Sequence, residues 1–164
     1  MPVLNYQQVN MYLQEMTDTV QYIEPEFYQF LKYNYDFGFR YKELKESSRW
    51  SYHENETFLV NTEKGSNDRI VPIDGVPKAF IESINDQTEG FSTIRYSTFT
   101  RLFKKYYFYP YLSVGNKKVS SHIFRYLLVK RLSLQGQTIR QISDFIGEVN
   151  TNNTLGYLNA VFHY

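Results

Sequence analysis

His122 and Arg125 stand three residues apart, Glu148 follows after a glycine, and Tyr157 comes nine residues after Glu148. On a helix, positions i and i+3 share a face, so an imidazole and a guanidinium at this spacing can serve one cleft. A guanidinium fork matches phosphate oxygens, and an imidazole moves a proton near neutral pH. A tyrosine hydroxyl beside such a pair is a nucleophile suited to attack a DNA phosphate. On spacing alone, a surface histidine and an arginine paired with a nearby acid are the better explanation of His122 and Arg125, since such pairs are common. Glu148 alone reads as a solvent-exposed acid, and Tyr157 is one of 16 tyrosines.

Charge is distributed unevenly. The net charge of +1 over 164 residues hides a stretch, 90–143, with ten basic side chains and no acidic one. These are Arg95, Arg101, Lys104, Lys105, Lys117, Lys118, Arg125, Lys130, Arg131 and Arg140. Such a stretch, interleaved with Phe103, Tyr106, Tyr107, Phe108 and Tyr109, is the footprint of a nucleic-acid partner. Chance segregation of solvated charge is the plainer alternative. Hydrophobic content of 42% with 21% charged residues fits a soluble globular chain of one domain and excludes disorder. No apolar run approaches the roughly 20 residues of a membrane span, and the N-terminus lacks a signal-peptide pattern, so a cytoplasmic location is the default. With no cysteine there is neither a disulfide framework nor a thiolate metal site.

The elements that must position these residues are legible in outline. Asn5 is a helix cap, and Tyr6–Met16 reads as a helix broken by Thr17-Asp18-Thr19. Glu24-Pro25-Glu26 opens a second helix with Phe27, Phe30 and Leu31 on one stripe. Tyr33–Phe39 reads as an aromatic turn around Gly38, and Arg40–Leu44 as a further helical turn. Trp50–Tyr52, Thr57–Asn61 and Arg69–Ile73 are short β-prone runs between turn-forming clusters. Helices are expected over Lys78–Ile84 and from Tyr96 to about Tyr109, then a loop over Tyr111–Lys118. Val119–Leu134 reads as the longest helix. Thr138 and Gln141 form a capping box for the next one, which Gly147 ends. Asn150 or Thr151 caps a last segment with Leu155, Leu158 and Phe162 on one side. The fold class expected is α+β, mostly helical with a small three-stranded antiparallel sheet.

Taken together, Ser121-His122-Ile123-Phe124-Arg125-Tyr126, Ile146-Gly147-Glu148 and Thr154-Leu155-Gly156-Tyr157 resemble the C-terminal signature of the tyrosine recombinases, or phage integrases. That family also has a first arginine in a Thr-Gly-Leu-Arg-x-x-Glu-Leu motif, to which Phe37-Gly38-Phe39-Arg40-Tyr41-Lys42-Glu43-Leu44 is similar. It has a lysine on a β-hairpin before an Arg-x-Val-Pro-Leu strand, and Thr62-Glu63-Lys64-Gly65 with Arg69-Ile70-Val71-Pro72-Ile73 matches it. The resemblance runs from about Leu4 to Tyr157.

The resemblance implies a DNA breaking-rejoining fold and a site of Arg40, Lys64, His122, Arg125, Glu148 and Tyr157. Tyr157 would attack the scissile phosphate and form a 3′-phosphotyrosine link. Arg40 and Arg125 would clamp the non-bridging oxygens, Lys64 would protonate the 5′ leaving oxygen, and His122 would assist at the tyrosine hydroxyl. Glu43 would orient Arg40. The link conserves the phosphodiester energy, so neither nucleotide cofactor nor metal is implied. The partner implied is double-stranded DNA, with a homotetramer on paired sites and a monomer for an isolated domain. By that resemblance the chain would correspond to the catalytic domain, without the core-binding domain that the family places before it. Glu148 departs from the family's usual histidine or tryptophan: as an anion it repels phosphate, and bonding the tyrosine hydroxyl or bracing a neighbouring loop are its other roles. Two further readings compete. One is a non-enzymatic DNA-binding regulator using 119–134 and 138–146 as a helix-turn-helix. The other is a type IB topoisomerase-like enzyme with the same chemistry.

Overall fold

The computed structural model describes residues 3–39, 50–53, 57–60, 69–72, 96–107, 113–114, 117–118 and 122–163. In chain order these form β1 (Val3–Leu4), α1 (Tyr6–Val20), α2 (Pro25–Phe37), β2 (Trp50–His53), β3 (Thr57–Val60) and β4 (Arg69–Pro72). Then follow α3 (Tyr96–Tyr106), β5 (Ser113–Val114), β6 (Lys117–Lys118), α4 (Ile123–Leu134), α5 (Ile139–Ile146), α6 (Thr151–Leu158) and β7 (Phe162–His163).

The helix starts follow local chemistry. Asn5 Oδ1 accepts from the Gln8 backbone N–H at 2.8 Å, and Gln8 Oε1 accepts from the Asn5 N–H at 3.0 Å. This reciprocal box satisfies two donors that the helix leaves orphaned. The break expected at Thr17–Thr19 does not occur, and α1 continues to Val20. The Thr17 hydroxyl donates to the Leu13 carbonyl and the Thr19 hydroxyl to that of Glu15, both at 2.8 Å. The threonines thus satisfy their hydroxyls within the helix instead of ending it. Met16 and Val20 extend the buried stripe of Val9 and Leu13. Likewise Tyr33–Phe37 is helix, not turn, and only Gly38, at φ +59°, stops α2. A left-handed residue is accessible to glycine at little cost.

The expected α+β class with a small three-stranded antiparallel sheet as its one sheet is corrected: the described residues are mostly helical, and their strands fall into two sheets. In one, β2, β3 and β4 run antiparallel, with Trp50 opposite Val60 and Val60 opposite Arg69. The other has the order β1–β7–β5–β6. Its strands are two residues long, too short for any alternation to be read. Two expectations fall with it. Ser113–Lys118, expected as loop, contains the β5–β6 pairing, and Phe162, expected on a helical stripe, lies in β7 opposite Leu4 and Val114.

Further differences are of boundary. α3 ends at Tyr106 rather than Tyr109, and α4 begins at Ile123, which makes α1, with 15 residues, longer than α4, with 12. The expected helices at Arg40–Leu44 and Lys78–Ile84 lie outside the described residues.

Two groups of buried side chains hold the helices. The larger joins α1, α2, α3 and the start of α4, with Phe99 packed 4.8 Å from Phe30 and 5.9 Å from Phe27, centroid to centroid. Aromatic pairs at these separations add to their area burial. The smaller joins Leu128, Val129 and Leu132 of α4 to Ile142 and Ile146 of α5, with Tyr157 and Leu158 against it. Arg125 sits on α4 between residues of the two groups.

Candidate functional site

Arg125 is fully buried and is among the largest side chains with no exposure. A guanidinium does not lose its charge, so burial demands acceptors on every side. Two come from helix ends. Nη1 donates to the Gly38 carbonyl at 2.9 Å, and Nη2 donates to the Ile146 carbonyl at 2.8 Å. Gly38 follows the last turn of α2, and Ile146 is the last residue of α5. Carbonyls there lack an intrahelical partner and lie at the negative end of the helix dipole. One guanidinium thus ties the C-terminal ends of two helices to the helix that bears it.

The third acceptor is Glu148. Arg125 Nη2 lies 3.2 Å from Glu148 Oε1, and the carboxylate is itself buried, 6% exposed. The sequence reading of Glu148 as a solvent-exposed acid is therefore corrected. The direction of Glu148 is set locally. Gly147, at φ +78°, turns the chain out of α5, and the Glu148 N–H closes back on the Ser143 carbonyl at 2.9 Å. This six-to-one closure is the Schellman form of a helix end. It points the next side chain back toward α4.

Tyr157 is half-buried on α6. Its ring meets that of Tyr126 edge to face, at 4.9 Å between centroids and 84° between planes. The Arg125 Cζ lies 5.7 Å from the Tyr157 centroid, within cation–π range. Burial pushes the Tyr126 hydroxyl above the ordinary phenol range, with the Tyr157 phenol adding to it. The helix under Tyr157 is fixed at two points. Asn150 Oδ1 accepts from the Asn152 N–H at 2.8 Å, and Thr154 Oγ1 shares a buried 2.7 Å hydrogen bond with Ser143 Oγ of α5.

His122 is exposed and occupies the cap position of α4, where its carbonyl accepts from the Arg125 and Tyr126 N–H groups. It thus stands at the helix mouth while Arg125 points inward. Arg40, Lys64 and Glu43 lie outside the described residues. The structure therefore brings together Arg125, Glu148 and Tyr157, with His122 at the end of the same helix. Sequence reasoning missed Tyr126, Asn153 and the carbonyls of Gly38 and Ile146. For the carbonyls no side-chain signal exists, because any residue supplies one.

The basic stretch divides. Arg101, Lys104 and Lys105 are exposed on α3. Arg131 is turned to the protein, with Nη2 donating to the Tyr35 carbonyl at 2.7 Å and Cζ 4.5 Å from the Tyr35 centroid. Arg140 lies 3.7 Å from Asp144 on the exposed face of α5, so that helix offers no unopposed cation to a DNA groove. Among the described residues no cluster of three or more His, Cys, Asp or Glu could hold a metal, and no helix is long and apolar enough to cross a membrane.

No protein-family profile matches the sequence, and no curated protein matches it. The structure does match a solved one, the crystal structure of XerA recombinase, with a TM-score of 0.64 at 19% identity. The alignment covers 97% of this chain and 61% of that chain, so this chain spans about three-fifths of its neighbour's length. At that identity the likeness is one of fold alone.

Proposed function

We propose that the chain is the catalytic domain of a tyrosine recombinase, a DNA strand transferase acting through a 3′-phosphotyrosine intermediate. The observation that carries this reading is the Tyr157 ring with its centroid 5.7 Å from the Arg125 Cζ, together with the exposed His122 at the cap of the helix that bears Arg125. Supporting it, Gly38 already touches Arg125, and Arg40 follows Gly38 by two residues. In the proposed step the Tyr157 oxygen forms a bond to phosphorus and the bond from phosphorus to the 5′ oxygen breaks. The phenol proton leaves toward His122, and Lys64 supplies a proton to the 5′ oxygen. Arg40 and Arg125 stabilise the charge that gathers on the non-bridging oxygens. The exposed Arg101, Lys104 and Lys105 on α3 add non-specific attraction to the DNA backbone, which weakens with salt.

The test is a covalent-trapping assay on a library of nicked duplexes of random sequence. The reading requires a detergent-resistant protein–DNA adduct that Tyr157→Phe abolishes. A second reading is favoured by one observation: Nη2 of Arg125 directs its bonds to Ile146 and Glu148, inside the protein. In that reading Arg125 is a structural residue and the chain binds DNA without cutting it. Salt-sensitive DNA binding with no adduct across the library decides for it. Relaxation of supercoiled plasmid without site preference would instead indicate a topoisomerase-like enzyme.

A further inference from the structure

Four side chains form a closed circuit around the candidate nucleophile. Arg125 Nη2 donates to Glu148 Oε1 at 3.2 Å. The other carboxylate oxygen, Oε2, accepts from Asn153 Nδ2 at 3.3 Å. Asn153 and Tyr157 are four residues apart on α6, one turn of the same helix. The Tyr157 ring returns to the Arg125 guanidinium at 5.7 Å. Glu148 is thus shared between the helix of the arginine and the helix of the tyrosine, and each of its oxygens serves one of them.

We propose that Glu148 and Asn153 are positioning residues: Glu148 orients Arg125, and through Asn153 it holds the first turn of α6 so that Tyr157 keeps its place over the guanidinium. This deepens the strand-transfer reading and rests on it. Glu148 does not need to meet the phosphate in this arrangement. Its charge is opposed by Arg125, and its buried oxygens are directed at protein donors. The anion that stands where a phosphate ligand was expected acts one step further back. A charge-assisted hydrogen bond is stronger than a neutral one, and fixing a guanidinium by such bonds limits the geometries it samples.

Asn153 makes the test clean, because it is exposed and uncharged, and its loss leaves the Arg125–Glu148 pair in place. The duplex recovered from the trapping library serves as probe, and single-turnover adduct formation is followed over a range of DNA concentration. Asn153→Ala and Asn153→Asp should slow the rate at saturating DNA roughly tenfold, the worth of one hydrogen bond to a charged group. The half-saturating DNA concentration should be unchanged, because Asn153 is assigned no DNA contact. Asn153→Gln, which keeps an amide donor, should recover most of the rate. A purely structural role would lower thermal stability without moving the saturating rate well below the melting temperature. Wild-type rates in Asn153→Ala and Asn153→Asp, with Tyr157→Phe inactive, would overturn the proposal and leave the strand-transfer reading standing. If the wild type yields no adduct, that reading fails, and amide hydrogen exchange decides on the circuit itself. Asn153→Ala should then speed exchange across Thr151–Leu158, and unchanged exchange there overturns it.

Discussion

Arg125 and Glu148 face each other at 3.2 Å, and the side chains are 0% and 7% exposed. Twenty-three residues separate them in sequence, and α5 lies between. Bulk solvent reaches the pair little at that exposure, so each charge lowers the cost of burying the other.

Removing one partner should therefore cost far more than a surface ion pair would. Glu148→Ala is expected to destabilise the fold by about 3–5 kcal/mol, because it removes the carboxylate to which Nη2 of a fully buried guanidinium donates. Pairing it with Arg125→Met should cost less than the sum of the two single changes. Urea unfolding of the four proteins measures this coupling, and strict additivity would show that the pair is not an energetic unit.

Tyr157→Phe separates chemistry from packing. The phenyl ring keeps its edge-on contact with Tyr126 and its place near Arg125, so stability should change by less than about 1 kcal/mol. Covalent trapping should vanish. A large loss of stability would mean that the Tyr157 hydroxyl holds the fold, which would remove the basis for reading the lost adduct as lost chemistry.

Gly38→Ala tests the glycine that supplies an acceptor to Arg125. A Cβ there would lie 2.8 Å from Leu128 Cδ2 and 3.4 Å from Arg125 Cγ, on a backbone at φ +59°. The left-handed conformation alone costs a non-glycine residue about 1–2 kcal/mol. Leu128 is buried and has little room to yield, so the loss should exceed that figure. Thermal unfolding reads it, and a neutral result would mean that the turn relaxes away from α4.

Asp36 gives a pH dependence of known sign. Burial lifts its carboxyl above the ordinary range, against the opposing pull of Arg131 and Lys32. The folded chain therefore holds this proton more tightly than the unfolded chain does. The contribution favours folding in acid and is lost as pH rises through the raised folded value. Asp36→Asn should match the wild type near about pH 4 and gain on it toward about pH 7. Urea midpoints at the two pH values measure the gap, and a variant that loses ground on going to neutral pH would reverse the assignment.

What the sequence determined was local. Asn5, Thr138 and Asn150 start helices because their side chains accept the first orphaned N–H groups. Gly38, Gly136 and Gly147 adopt positive φ because they lack a Cβ. Apolar spacing placed Val9, Leu13, Ile142 and Ile146 inside, and the order of the motifs pointed to a recombinase before any fold was in view. Arg125 and Tyr157 could be singled out by residue type, but not their relation to each other. The threonines of α1 misled because their propensity is weak beside the burial of Met16 and Val20. The two-residue strands escaped because pairing, not pattern, defines them. Only the tertiary structure decided the fate of Glu148. A carboxylate after a glycine reads as solvated until α4 is laid beside the end of α5, and then the cost of burying an unpaired charge makes Arg125 its partner.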